Sequence, residues 1–331
     1  MSDDSETKLK RELGLLPIVF FIFGYVVGAG ILIQTGVTAG VTGPLLWVAF
    51  LIAGIPNVVG ALIICYIVSA FPATGGAWTY SSRLGSPFIG FIVLASIILH
   101  IMGALALLAI GFGTYFENFI PGTMILAAVV ILLIFYVINV LGIKIAGWIQ
   151  VVLAIFGDML VVFLFIIFGL PNVDTTKLVN PPGGLIPTGV LGILIRAIIV
   201  SFSYAGFTAI IEIGGEVKDP RRNIPLGLLL SFFLILIVYI LISVVMIGSM
   251  DWQELGKGAT LVDVASSFFP GWFIIVMNVL ILIAIASTIH GVLLAYSRDL
   301  FAGARDRVVP KFLAKVNKRD VPHWSITFFI V

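Results

Sequence analysis

Apolar residues run along the chain in long blocks, and charged residues are confined to the gaps between them. From Leu13 to Ser82 there is no Asp, Glu, Lys or Arg, a run of seventy residues. In so long an apolar run every backbone N–H and C=O needs an internal partner, which predicts helices in lipid. About 20 largely apolar residues cross a membrane. On that ruler the spans fall at 15–39, 44–70, 88–113, 123–141, 145–170, 190–214, 225–249 and 273–300, and a ninth begins at Val321 and reaches Val331. Polar or Gly/Pro-rich connections separate them, the longest being Pro171–Gly189 and Ser249–Gly271.

Two spans break the helical pattern. Span one carries Gly24, Gly28 and Gly30 within seven residues, and glycine is a poor helix former that leaves helical φ/ψ cheaply. A helix that stops at Gly28–Gly30 leaves N–H groups at mid-membrane depth, which is tolerated only where they face protein or a polar cavity. The alternative is a small-xxx-small helix contact through Gly24 and Gly28. Span six breaks at Ser201-Phe-Ser-Tyr-Ala-Gly206-Phe207, about 175 residues later.

Charge sets the orientation. With the N-terminus inside, the inner segments hold fifteen of the eighteen Lys and Arg residues, and only Lys177, Arg196 and Lys257 lie outside. Positive charge favours the cytoplasmic side, so the N-terminus is expected in the cytoplasm and the protein in the cell membrane. Five spans then bring the chain outside, and span six runs opposite to span one. Interrupted helices at matching places in opposed halves point to a transporter with its site at the repeat interface, and this outweighs simple glycine packing.

Composition narrows the class further. The chain is 61% hydrophobic and 10% charged, against about 25% charged in soluble domains. Residues 1–12 are polar with four acids, and the apolar stretch after them is too long for a signal-peptide core. The single cysteine, Cys65, excludes an intrachain disulfide. No Walker-type Gly-x-x-x-x-Gly-Lys occurs, and three scattered histidines form no metal-ligand set. No nucleophile–base set suggests an enzyme, and no cofactor or nucleic-acid partner is expected.

Four stretches together resemble the amino-acid permeases of the amino acid–polyamine–organocation superfamily. They are Gly28-Ala-Gly30-Ile-Leu32; Gly60 through Tyr80, ending Ala70-Phe-Pro-Ala-Thr-Gly-Gly-Ala-Trp-Thr-Tyr80; Phe202-Ser-Tyr-Ala-Gly206-Phe with Gly215-Glu-Val-Lys-Asp-Pro-Arg-Arg-Asn-Ile-Pro225; and Ser297-Arg-Asp-Leu-Phe-Ala-Gly-Ala-Arg-Asp306 through Pro322. The resemblance implies an all-α polytopic membrane protein with the leucine-transporter-type inverted five-helix repeat. Residues 1–12 would be an N-tail, 13–170 the first repeat, 171–189 an outer loop and 190–331 an incomplete second repeat. It implies alternating access of an amino-acid substrate; Asp158, and the absence of an acid near Gly28–Gly30 to help hold a cation, point to proton symport or exchange. Half-helix N-termini favour a carboxylate and half-helix C-terminal carbonyls an ammonium. Carried over by motif, Gly28, Ala29 and Gly30 would hold the carboxylate, and Val27, Phe202, Ser203 and Ala205 the ammonium. Tyr204 or Phe207 is offered as an aromatic lid, with ordinary packing as the alternative. The partners implied are the substrate, membrane lipid, a coupling proton and further helices in a longer parent chain, so residues 1–331 alone are not expected to transport.

The coupling and gating candidates come from isolated polar groups. Asp158 is the one acid deep in span five, where an ionisable group costs several kcal/mol unless paired or neutral; it is either a proton carrier or a resident of a polar cavity. Some relatives carry a lysine in span five whose position falls here at Gly157, so this chain departs from that pattern. Ser287 and Thr288 resemble a sodium-ligating hydroxyl pair, although span hydroxyls also bond their own i−4 carbonyls. His290 lies three residues on from Ser287. Glu216 is placed to pair with Arg83 or Arg298 as an inner gate, and Glu212 stands one turn before it. A polyamine or organic-cation carrier, drafting Asp158 or Glu117, and an amino-acid-binding receptor or scaffold are the alternative functions.

Overall fold

The computed structural model describes residues 11–27, 31, 36, 38–40, 42–71, 73, 75–181, 183–187, 189–204, 206–207 and 209–330, without the side chains of Ser69 and Phe202. Among them the chain is helical. The helices are α1 Leu15–Val27, α2 Leu46–Ala70, α3 Gly76–Tyr80, α4 Pro87–Glu117, α5 Met124–Val140, α6 Ile143–Leu153, α7 Leu160–Gly169, α8 Thr175–Val179, α9 Gly189–Ser201, α10 Pro220–Ser249, α11 Trp252–Leu255, α12 Leu261–Ala265, α13 Gly271–Arg305 and α14 His323–Phe328. A π-helical turn, Ala154–Met159, joins α6 to α7. An isolated bridge between Leu13 and Val217 is the β-type pairing seen among these residues.

Among the described residues, five helical segments are long and apolar enough to cross a membrane: Leu46–Val68, Pro87–Glu117, Ile143–Asn172, Pro220–Ser249 and Gly271–Arg305. The shorter apolar helices Leu15–Val27, Met124–Val140 and Gly189–Ser201 accompany them. In α13, 56% of the most apolar window is buried against 22% in α4, so α13 runs through the middle and α4 lies at the edge. With 35 residues, α13 is about 52 Å long at 1.5 Å per residue. That exceeds the roughly 30 Å hydrocarbon layer, so its last turns carry Arg298 and Asp299 towards the interface.

Around α13 the bundle is layered. The short α1 is wedged between α10 and α13, and α2 lies along α10 and against α9. On the other side, α13 packs against α4, α5, α6 and the π-turn. Span six is interrupted as its sequence predicts. Helix α9 stops at Ser201, a 3-10 turn covers Phe202–Tyr204, and a second 3-10 segment runs Ala209–Glu216. Gly206 sits between them at φ +87°.

That glycine is doubly required, because a Cβ there would run into the ring of Tyr25 on α1. Gly206→Ala combines a left-handed backbone, about 1–2 kcal/mol, with an overpacked contact, about 1–3 kcal/mol. We expect it to destabilise the full-length protein by about 2–5 kcal/mol in denaturant unfolding in detergent. An effect under 0.5 kcal/mol would show that the bend does not need glycine.

The connection between α10 and α13 folds over the far half of span one. Positions 36 and 40 are glycines because a Cβ at either would strike the backbone at Ala259 or Gly256. Thr260 and Asp263 close a capping box at the start of α12, with Thr260 N donating to Asp263 Oδ2 at 2.6 Å. Nearby, the Lys177–Asp251 ion pair, 3.3 Å, holds α8 against the end of α10. Asp174 caps α8, and the Thr176 hydroxyl and N–H that it accepts keep its carboxyl below the usual range.

Candidate functional site

Of the residues expected to hold a substrate, Gly28, Ala29, Gly30 and Ala205 lie outside the described residues, and of Phe202 only the backbone is described. Val27, Ser203, Tyr204 and Phe207 are all buried. Tyr239, on α10, ties α1 to the break in span six. Its hydroxyl is 3.0 Å from the carbonyl oxygen of Val26 and 2.8 Å from that of Ser203, so its one hydrogen is shared between the two. Tyr204 is held differently: its hydroxyl donates to Phe50 O at 3.1 Å, and its ring meets those of Tyr239 and Phe232. Phe207 packs edge-on against Phe232. Tyr204 and Phe207 thus belong to one aromatic wall with Phe50, Phe232 and Tyr239.

A second cluster forms around Gly24, where α1, α6, the π-turn and α13 meet. A Cβ at Gly24 would lie 2.5 Å from Ser287 Oγ, 2.8 Å from Asp158 Oδ2 and 2.8 Å from Gln150 Nε2. The missing side chain is what lets these three polar groups converge. Gln150 Nε2 donates to Ser287 Oγ at 2.9 Å. Thr288 Oγ1 lies 3.3 Å from both Gly24 O and Ala284 O, so it is hydrogen-bonded to its own helix and to α1. Asp158 is fully buried, and among the described residues neither of its carboxyl oxygens, nor Gln150 Oε1, has a hydrogen-bond partner. Asp158 sits on the π-turn, a device that recurs at functional sites. Gly157 cannot carry a side chain in this packing, because its Cβ would lie 2.7 Å from the backbone nitrogen of Ala284.

His290, one turn further along α13, is bound at both ring nitrogens. Nε2 is 2.9 Å from Ala146 O and Nδ1 is 2.9 Å from Asn139 Nδ2. A carbonyl only accepts, so Nε2 carries the hydrogen and Nδ1 accepts from the amide. The ring also stacks on Phe135 at 5.1 Å. His290 therefore ties α13 to α5 and α6, away from the Gly24 cluster.

The third cluster lies at the end of the bundle that bears the N-terminal strap. Arg298 Nε donates to Glu216 Oε1 at 2.8 Å, and both side chains are buried. Arg298 Nη1 reaches Ser297 Oγ at 2.9 Å. Arg83 and Arg221 stand elsewhere, on separate surface grooves. Glu212 accepts from Ala77 N at 3.2 Å and 3.3 Å, and Asp299 Oδ1 accepts from Trp78 N at 3.0 Å. Two carboxyl groups from different spans thus cap the orphan N–H groups at the start of α3. Trp78 Nε1 extends the clasp to Asp306 Oδ2 at 2.7 Å. The Gly75-Gly76 pair makes the approach possible: Gly75 has φ +68° and abuts Ala302, and Gly76 would place a Cβ 2.7 Å from Ile211 O. The strap joins through Glu12 N to Glu216 O at 2.9 Å and Lys218 N to Leu13 O at 2.7 Å. Glu212, Glu216, Arg298 and Asp299 are all buried at this end of the bundle.

Tyr239, Gln150 and Asp299 were not singled out in the sequence. Gln150 carried a signal, an amide within an apolar helix, whereas Tyr239 carried none, because tyrosines in spans are common packing residues.

An all-helical membrane bundle with an interrupted span and buried polar clusters against the neighbouring helices is the class that these features define. Residues 18–331 match the family model of the amino acid permeases, and the chain belongs to that family. It is a transporter and not an enzyme. It is 27% identical to a branched-chain amino acid permease of Bacillus subtilis over 98% of this chain and 74% of the relative. It is 28% identical to a methylthioribose transporter of the same organism, over 96% and 72%. With a vacuolar cationic amino acid transporter of Arabidopsis thaliana it shares 27% identity over 96% of this chain, but spans only 56% of that relative. These relatives are named for different cargoes, so kinship supports amino-acid transport as a class and does not choose the substrate.

Proposed function

We propose that the protein is a secondary active transporter of amino acids that works by alternating access, as a proton symporter or exchanger in the cell membrane with its N-terminus cytoplasmic. In this reading 13–170 and 190–331 belong to two inverted repeats. The observation that carries it is the Tyr239 hydroxyl, which joins the Val26 carbonyl of α1 to the Ser203 carbonyl at the break in span six. The same carbonyls would receive the substrate ammonium with Val27, Phe202 and Ala205, while Gly28, Ala29 and Gly30 would hold the carboxylate. The closed clasp of Glu216, Arg298, Glu212 and Asp299 then acts as the cytoplasmic gate, with Asp158, Ser287 and Thr288 as the coupling site. His290 supports that site from behind.

The test is uptake by the full-length protein in proteoliposomes, with a labelled amino-acid panel and separate proton and sodium gradients. Uptake of at least one amino acid driven by a pH difference acidic outside supports the reading; dependence on sodium with indifference to pH overturns the proton assignment. Tyr239→Phe keeps the ring and loses the donor, about 1 kcal/mol per hydrogen bond. It is expected to weaken substrate affinity about five- to tenfold, as read by ligand-induced thermal stabilisation, and to cost about 1–3 kcal/mol of stability because buried carbonyls lose their donor. Unchanged affinity would remove Tyr239 from the site.

A further inference from the structure

The surface beside the turn between α5 and α6 carries a feature that transport does not use. An apolar groove of about 590 Å³ runs up the outer face of α6, lined by Lys144, Ile145, Trp148, Ile149, Val152 and Leu153. These positions form one helix face about 13 Å long. At its lower end the groove opens into a polar hollow of about 260 Å³, where Lys144 meets Lys318 and Arg319, with Glu12 and Asp320 at the rim. Three cations face two carboxylates there, leaving a net positive charge.

The hollow is built, not incidental. Gly142, at φ +124°, turns the chain between α5 and α6. The loop before α14 docks on that turn through Asn317 Nδ2 to Val140 O at 3.0 Å and Arg319 Nη1 to Leu141 O at 2.9 Å. This docking brings Lys318 and Arg319 beside Lys144. Trp148, 51% exposed, stands one turn above Lys144, where an indole suits the boundary between headgroups and hydrocarbon.

We propose that this groove binds one anionic phospholipid, its phosphate among Lys144, Lys318 and Arg319 and one acyl chain along Trp148 and Val152. The occupant follows from charge complementarity: a zwitterionic lipid fits the apolar face equally, but its headgroup cation offsets what its phosphate gains in a hollow of net positive charge. Basic pockets beside membrane helices recognise anionic headgroups in this way.

The test uses the full-length protein in phosphatidylcholine nanodiscs doped with brominated phosphatidylglycerol or brominated phosphatidylcholine. Quenching of Trp148 is read as the difference between wild type and Trp148→Phe. Brominated phosphatidylglycerol is expected to quench Trp148 at a mole fraction roughly tenfold lower than brominated phosphatidylcholine. Lys144→Gln with Lys318→Gln should abolish that preference, since two basic residues at an anionic surface account for roughly ten- to thirtyfold. Lys311→Gln with Lys315→Gln, outside the groove, should preserve it. Equal quenching by both lipids overturns the proposal. So does quenching by neither, which would mean that a later segment of the chain or a second copy covers the groove.

Discussion

Arg298→Ala is expected to cost the full-length protein about 3–5 kcal/mol of stability, because it strands Glu216 in a buried site without its cation. Arg298 is fully buried and bonds both Glu216 and Ser297, so no solvent can take over. Arg298→Lys keeps a charge but not the guanidinium's several fixed donors, and an intermediate loss is expected. The pair is costly to break but not strongly stabilising in itself. The double change Arg298→Met with Glu216→Gln should therefore recover most of the loss. Denaturant unfolding in detergent gives these values, and transport by the double variant tests the gate separately. A single variant within 0.5 kcal/mol of wild type would mean that the pair is hydrated and the end of the bundle is not sealed.

Asp158→Asn is expected to abolish concentrative, pH-driven uptake, a change of at least tenfold, while substrate binding survives. Asp158 is fully buried beside Ser287 and Gln150, and no donor among the described residues bonds either carboxyl oxygen. An anion so placed costs several kcal/mol unless a proton or another cation joins it. A site whose occupancy by a cation decides its energy is suited to coupling. Asparagine is permanently neutral and close in shape, so the packing around Gly24 should hold. Uptake into proteoliposomes with and without an imposed pH difference, beside counterflow exchange, separates coupling from binding. Wild-type accumulation by Asp158→Asn at every pH would leave Asp158 a structural residue, and loss of binding as well would place its role in folding.

Much of the architecture was legible along the chain because its signals are local. Span six reads as interrupted from Ser201 to Phe207, and the bend occurs there for a reason visible in the residues, since Gly206 alone can take the left-handed backbone against Tyr25. Glu216 was read as a gate acid with two eligible arginines, and only packing could choose Arg298 over Arg83. The Gly75-Gly76 pair was noticed as a motif, but its purpose, letting α3 press its N–H groups onto Glu212 and Asp299, depends on residues more than a hundred positions away.

The sequence by itself determined that the chain is a helical membrane protein, where most of its long helices lie and that span six bends, because apolar length and glycine placement act within a few turns. The tertiary structure decided the partners: Tyr239 on the carbonyls of Val26 and Ser203, Asp158 and Gln150 against the bare face of Gly24, His290 fastened to Asn139 and Ala146. Those pairings depend on the depth and rotation of each helix relative to its neighbours. In a chain apolar on nearly every face, hydropathy specifies neither, and close packing against glycine has to set both.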